Sequence, residues 1–181
     1  MIVVVADTSG LLAALDATHP DGSAARSCLD RAGTLVLSPV LLAEIDHVGS
    51  RVLGREAAIA AVDDLRRWAR AGRVVLPEIT ADVLDEAQEL RARYADLTLD
   101  LADAVNVSLA ASYRTNAILT LDHRDYRAIR PLSTHAAFTL LPADSRALVP
   151  APAQPSRQGR GPGRRGRTPG VLRSSVALTA A

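Results

Sequence analysis

No lysine occurs anywhere in the 181-residue chain. A G-x-x-x-x-G-K-[ST] loop for nucleoside triphosphates is therefore excluded, since that cradle depends on a lysine reaching the outer phosphates. The same absence argues against receiver domains and haloacid-dehalogenase phosphatases, in which acids at strand ends work beside a lysine. Only one cysteine is present, Cys28. It rules out an internal disulfide and any all-cysteine metal centre, and it suits a reducing compartment. Within an apparent helix from Ala24 to Leu29 it reads as a buried, inert thiol. Long apolar runs are missing too. Ile2 to Ala6 spans five residues and meets Asp7 at once, which makes neither a secretory signal nor the ~20 residues of a membrane span. A cytoplasmic protein without membrane contact is expected. The four histidines, His19, His47, His123 and His135, lack H-x-x-x-H spacing and offer no zinc site.

Acids are missing from the C-terminal part. Through Asp144 there are 14 Arg against 20 Asp and Glu, a net charge of −6, whereas Ser145 onward carries 7 Arg and no acid, a net of +7. An acidic body with a basic tail is not the footprint of a duplex-binding domain. Residues 143–181 are rich in Pro, Gly, Arg, Ser and Ala, with too little apolar surface to offset the entropy of ordering, so a disordered tail is expected there. Contact with an RNA backbone is its functional reading; a dispensable extension is the bland one. Residues 1–142 are left as one domain.

Within that domain short apolar runs alternate with helical patterns. Ile2 to Ala6 is a β-branched strand, followed by Asp7-Thr8-Ser9 and a helix from Gly10 to Ala17. A helix over Gly22 to Arg31 and a strand over Thr34 to Leu37 come next. Ser38-Pro39 starts a helix with a cap and a proline at the first position. Leu41, Ile45, Val48 and Val52 form its stripe, and Glu44 lies on its flank, either paired with Arg51 or facing a cleft. Arg55 to Arg70 is amphipathic through Ala58, Ile59, Val62, Leu65, Trp68 and Ala69. A strand at Arg73 to Pro77 and a helix from Thr80 to Tyr94 follow. Asp100 or Thr98 caps a helix whose apolar stripe runs from Leu101 through Ala104, Val105, Ser108 and Leu109 to Ser112. Ala117 to Leu121 reads as a strand buried on both faces, His123 to Arg127 as a charged loop or short helix, and Phe138 to Leu141 as a last strand. Strands alternating with helices define an α/β fold, three-layer α/β/α with a mostly parallel central sheet.

Four acids then have predictable positions: Asp7 after the first strand, Glu44 on a helix flank, Asp103 in a helix's first turn and Asp122 after a later strand. In open parallel sheets ligands bind at the carboxyl ends of strands, so these groups can share one pocket. Asp7 has a plainer reading as a helix cap. Clustered carboxylates repel unless a cation neutralises them. All-oxygen ligands select a hard cation, Mg²⁺ or Mn²⁺.

Asp7-Thr8-Ser9, Ser38-Pro39 with Glu44, Leu101-Ala102-Asp103-Ala104 and Leu119-Thr120-Leu121-Asp122 with His123-Arg124-Asp125-Tyr126 occur in this order from Ile2 to Leu141. Together they resemble the PIN-domain ribonucleases, and among them the VapC-type toxins of bacterial type II toxin–antitoxin pairs. The resemblance implies a PIN-like fold and an Mg²⁺-dependent endoribonuclease whose catalytic, metal-binding acids are Asp7, Glu44, Asp103 and Asp122. It implies hydroxyls near the substrate at Thr8, Ser9 and Thr120, an RNA substrate, a homodimer and a cognate antitoxin protein. Asp100 is either a fifth acid or the helix cap. Arg124, Arg127 and Arg51 are candidates for gripping RNA at the rim. The helices starting at Pro39 and Arg55 carry apolar residues beyond their stripes, Leu42 and Trp68, which suit a groove for the antitoxin's amphipathic segment. Alternative readings are a PIN-like nuclease acting in RNA processing or on DNA, and a non-catalytic RNA- or partner-binding module.

Overall fold

Five strands of two to four residues cannot be stable alone, and they find one another as a single parallel sheet. The computed structural model describes residues 2–145. The strands are β1 (Val3–Ala6), β2 (Thr34–Val36), β3 (Val74–Val75), β4 (Ala117–Leu119) and β5 (Thr139–Leu141). Between them lie α1 (Thr8–Leu15), α2 (Gly22–Arg31), α3 (Pro39–Val52), α4 (Arg55–Arg70), α5 (Ala81–Arg93), α6 (Leu101–Ser112) and α7 (His123–Ala128). The strand order is β3-β2-β1-β4-β5, with every pairing parallel. The expectation of a tail over residues 143–181 falls almost wholly outside the described residues. Asp144 lies within them, and its Oδ2 accepts from the Leu140 N–H at 2.9 Å.

Successive side chains of a strand point to opposite faces, and both faces here are covered. Val4, Ala6, Leu35, Leu37, Ala117, Leu119 and Leu141 join one core with residues of α1 to α4. Val5, Val36, Ile118 and Leu140 join a second core with residues of α5, α6 and α7. That is the expected α/β/α sandwich. The chain builds β1, β2 and β3 outward in one direction, then crosses to β4 and β5 on the other side of β1. The order therefore reverses between β1 and β4, and the carboxyl ends of strands at such a reversal are where open parallel sheets bind their ligands.

Local chemistry sets most helix starts. Ser38 accepts from the Val40 N–H with Pro39 at the first position, and Thr80, Asp100 and Asp122 accept from Val83, Asp103 and Asp125. Gly54, at φ +90, makes the turn from α3 to α4 in a backbone region closed to most side chains.

Several helix faces differ from their expected stripes. Helix α1 begins at Thr8 instead of Gly10, which brings Thr8 and Ser9 into its first turn. On α3 the core positions are Leu41, Ile45 and Gly49, and Val52 is exposed. Gly49 takes the inward place because Leu12 and Ala58 lie too close for a large residue. On α4, Ala58, Ala61 and Leu65 face inward and Ile59 is exposed. Trp68 does not line the α3–α4 groove; it packs on the first core with its ring under the Arg73 guanidinium, 5.6 Å from the ring centre. Leu42 does line it, in a cavity of about 490 Å³ with Val62, Leu65, Ala69 and Leu76. Helix α6 has no solvent stripe from Ala104 to Ala110, because it lies between β1 and α5.

Candidate active site

An aspartate before a helix normally caps it. Asp7 has the extended backbone of a cap (φ −105, ψ 156), yet its side chain makes no capping bond. Its Oδ2 instead accepts from Ser9 Oγ at 2.6 Å and from Thr120 Oγ1 at 2.8 Å. The two hydroxyls lie 3.1 Å apart. Backbone donors extend the net: the Leu121 N–H gives to Ser9 Oγ and the Asp122 N–H to Thr120 Oγ1, both at 2.9 Å. The Asp7 N–H itself donates to the Leu119 carbonyl at 2.9 Å. Asp7 is thus buried at the reversal point, its carboxylate oriented by one hydroxyl from α1 and one from the end of β4.

Glu44 is held by Thr8 and, among the described residues, makes no pair with Arg51. Thr8, the residue next to Asp7, donates from Oγ1 to Glu44 Oε2 at 2.5 Å. The three hydroxyls therefore divide their work, Thr8 holding Glu44 while Ser9 and Thr120 hold Asp7.

Asp103 approaches from α6. Burial and the charges of Asp100 and Asp7, with a smaller contribution from Asp122, push its carboxyl up to about 7 against a bond from Tyr126 that favours the charged form. Asp7, Asp100 and Asp122 are therefore close enough to Asp103 to act on its charge. Asp100 caps α6, its Oδ1 accepting from the Asp103 N–H at 2.9 Å. Asp122 caps α7 through Oδ1, accepting from Asp125 N–H at 3.3 Å. Among the described residues no three acidic, histidine or cysteine side chains are grouped tightly enough to hold one ion as they stand. The chemistry of the set nevertheless fits a hard cation: it is all oxygen, and its mutual repulsion at Asp103 is what a cation would relieve.

The burial of Asp103 and that repulsion together make stability depend on pH. The folded carboxyl of Asp103 holds its proton up to about 7, against 3.8 ordinarily. A carboxyl whose folded pKa is raised destabilises the fold once it ionises. Below about pH 4 both states are protonated and nothing is lost; between 4 and 7 stability falls; above 7 the full loss applies. Three pH units correspond to about 4 kcal/mol at most, and partial solvent access to Asp103 reduces this to about 1–3 kcal/mol. Urea unfolding in EDTA should show wild type losing stability from pH 4 to pH 8, with Asp103→Asn losing less by that amount. Parallel pH profiles for the two proteins would contradict the burial and repulsion at this carboxyl.

Two residues here carried no expected role. Tyr126 is buried, donates to Asp103 Oδ1 at 3.1 Å and accepts from Asn106 Nδ2 at 3.3 Å. Burial, with the nearby charges of Asp7 and Asp103, pushes its hydroxyl pKa further up, so it stays a donor. Spacing was the available signal: Asn106 is one helical turn from Asp103, and Tyr126 one turn from Asp122. The basic rim is thinner than expected. Arg127 is paired with Asp144 at 2.7 Å. Arg124 is exposed and lies 3.5 Å from Asp125, and Arg51 is exposed on α3.

Residues 4–130 match the PIN domain family model. Ribonuclease VapC26 of Mycobacterium tuberculosis (strain ATCC 25618 / H37Rv) is 38% identical over 140 residues, which cover 77% of this chain and all of that one. The crystal structure of Mycobacterium tuberculosis VapC20, a Sarcin-Ricin loop cleaving toxin, superposes with a TM-score of 0.58 at 21% identity, over 67% of this chain and 91% of that one. VapBC2 of Rickettsia felis, solved with a fragment of its promoter DNA, gives a TM-score of 0.46 at 18% identity, over 63% of this chain and 84% of that one. The chain belongs to the PIN-domain family, on its VapC-type ribonuclease branch.

Proposed function

We propose that this chain is a divalent-metal-dependent endoribonuclease and the toxic half of a type II toxin–antitoxin pair, acting in the cytoplasm on single-stranded RNA. The observation that carries the proposal is Asp7: a buried carboxylate at the sheet's reversal point, turned away from capping by Ser9 and Thr120 and acting on Asp103. A helix cap has no need of that arrangement.

Asp7, Glu44, Asp103 and Asp122 are the residues that would hold Mg²⁺ or Mn²⁺. Bound there, the ion supplies an acidified water and charge stabilisation at the phosphoryl oxygens. Ser9 and Thr120 keep Asp7 oriented. Thr8 holds Glu44 by one oxygen, which leaves the other to take a proton from the attacking water. Arg124 and Arg51, both exposed, supply positive charge for the RNA backbone, which an acidic crevice otherwise repels. The antitoxin lies along the apolar cavity at Leu42 between α3 and α4, and the active form is a homodimer.

A labelled single-stranded RNA incubated with metal-stripped protein should remain intact, and adding Mg²⁺ or Mn²⁺ should start cleavage that EDTA stops. Full cleavage by the stripped protein would remove the metal-dependent mechanism.

A further inference from the structure

We propose that Tyr126 is a positioning residue for Asp103: held by Asn106, its hydroxyl engages one oxygen of the Asp103 carboxylate and leaves the other for a divalent cation, an inference that rests on the metal-binding role proposed above. A phenol hydroxyl is costly to bury without partners. Tyr126 is 1% exposed and Asn106 fully buried, and the hydroxyl has a partner on each side. Asn106 Nδ2 gives to it at 3.3 Å, and it gives to Asp103 Oδ1 at 3.1 Å.

The direction of the chain matters. Because the amide nitrogen faces the phenol oxygen, the tyrosine proton is aimed at the carboxylate. Among the described residues Asn106 Oδ1 has no hydrogen-bond partner, and the one side-chain bond this buried amide makes there is the one that serves Tyr126. The tyrosine ring meets Phe138 edge-to-face, centroids 6.0 Å apart and planes at 86°.

The hydroxyl also joins two acid-bearing helices. Asp103 and Asn106 are one turn apart on α6, while Tyr126 is on α7, the helix that Asp122 caps. One bond therefore orients the Asp103 carboxylate and ties α7 to α6, which sets how Asp122 stands to Asp103. Removing such a hydrogen bond behind a metal ligand typically weakens metal affinity by about 10–100-fold.

The test is a Mn²⁺ titration of the full chain, followed by calorimetry and by the electron paramagnetic resonance of free Mn²⁺. Tyr126→Phe keeps the ring on Phe138 and should keep its circular dichroism and its thermal midpoint within a few degrees, while Kd rises at least about tenfold. Asn106→Leu, which removes the hydroxyl's own donor, should raise Kd in the same direction by less. Phe138→Leu is the contrast: it should lower the thermal midpoint and leave Kd unchanged, as a purely structural role for this cluster would not predict. Wild-type Kd in Tyr126→Phe overturns the proposal; should that variant fail to fold, wild-type Kd in Asn106→Leu does so. No Mn²⁺ binding by wild type would overturn the metal assignment itself.

Discussion

Asp7→Asn should lower the rate of RNA cleavage at least about a hundredfold while leaving the protein folded. A carboxylate that helps hold a catalytic ion contributes several kcal/mol of charge stabilisation, and each 1.36 kcal/mol is about tenfold in rate. The fold survives because the Ser9 and Thr120 hydroxyls can rotate to suit an amide, and because removing one charge relieves repulsion at Asp103. Asp103→Asn, Asp122→Asn and Glu44→Gln should fall by similar factors. Asp100→Asn should lose only a few-fold, since asparagine caps a helix about as well as aspartate and the cap is what Asp100 visibly makes. The measurement is a single-turnover rate on labelled RNA at saturating Mg²⁺, with circular dichroism as the folding control. Asp7→Asn at wild-type rate would dismiss the site; Asp100→Asn as inactive as Asp103→Asn would make Asp100 a fifth functional acid.

The largest effect on stability should come from one methyl group. A Cβ at Gly10 would lie 2.4 Å from the Leu119 carbonyl oxygen, 2.6 Å from its carbon and 2.7 Å from the Thr120 nitrogen. All three are backbone atoms of the β4 end, with no flexible side chain to give way. Overpacking typically costs 1–3 kcal/mol, occasionally more, and a clash with a central strand belongs at the top of that range. Gly10→Ala should therefore lose about 3 kcal/mol or more, roughly 10 °C in thermal midpoint for a domain of this size. It should also reduce cleavage, because the displaced segment carries Thr120 and accepts the Asp7 N–H. Gly49→Ala makes the comparison: its Cβ would meet Leu12 and Ala58 at 3.4 and 3.5 Å, ordinary contacts. There the gain in helix propensity, about 0.5–1 kcal/mol, is free to appear. Equal midpoints for the two variants would show that α1 can move off β4 without loss.

The sequence by itself determined the order of strands and helices and the places of the acids. Ser38-Pro39, Thr80, Asp100 and Asp122 start helices through bonds to residues two or three away. Such local contacts are legible in a linear chain, and so are the short β-branched runs that became β1, β2 and β4. Tertiary structure decided what is set by relative placement. A helical wheel fixes angles within one helix but not where its neighbours lie, so Val52 and Ile59 turned outward while Gly49 and Ala61 turned inward. Glu44 stood equally near Arg51 and a cleft until α1 placed Thr8 beside it. The Thr120–Asp7 bond spans 113 residues and the Tyr126–Asp103 bond joins two helices. Those partners meet only because β1 and β4 are adjacent in the sheet and α6 is buried against α5 and β1, and burial is what requires each hydroxyl there to find an acceptor.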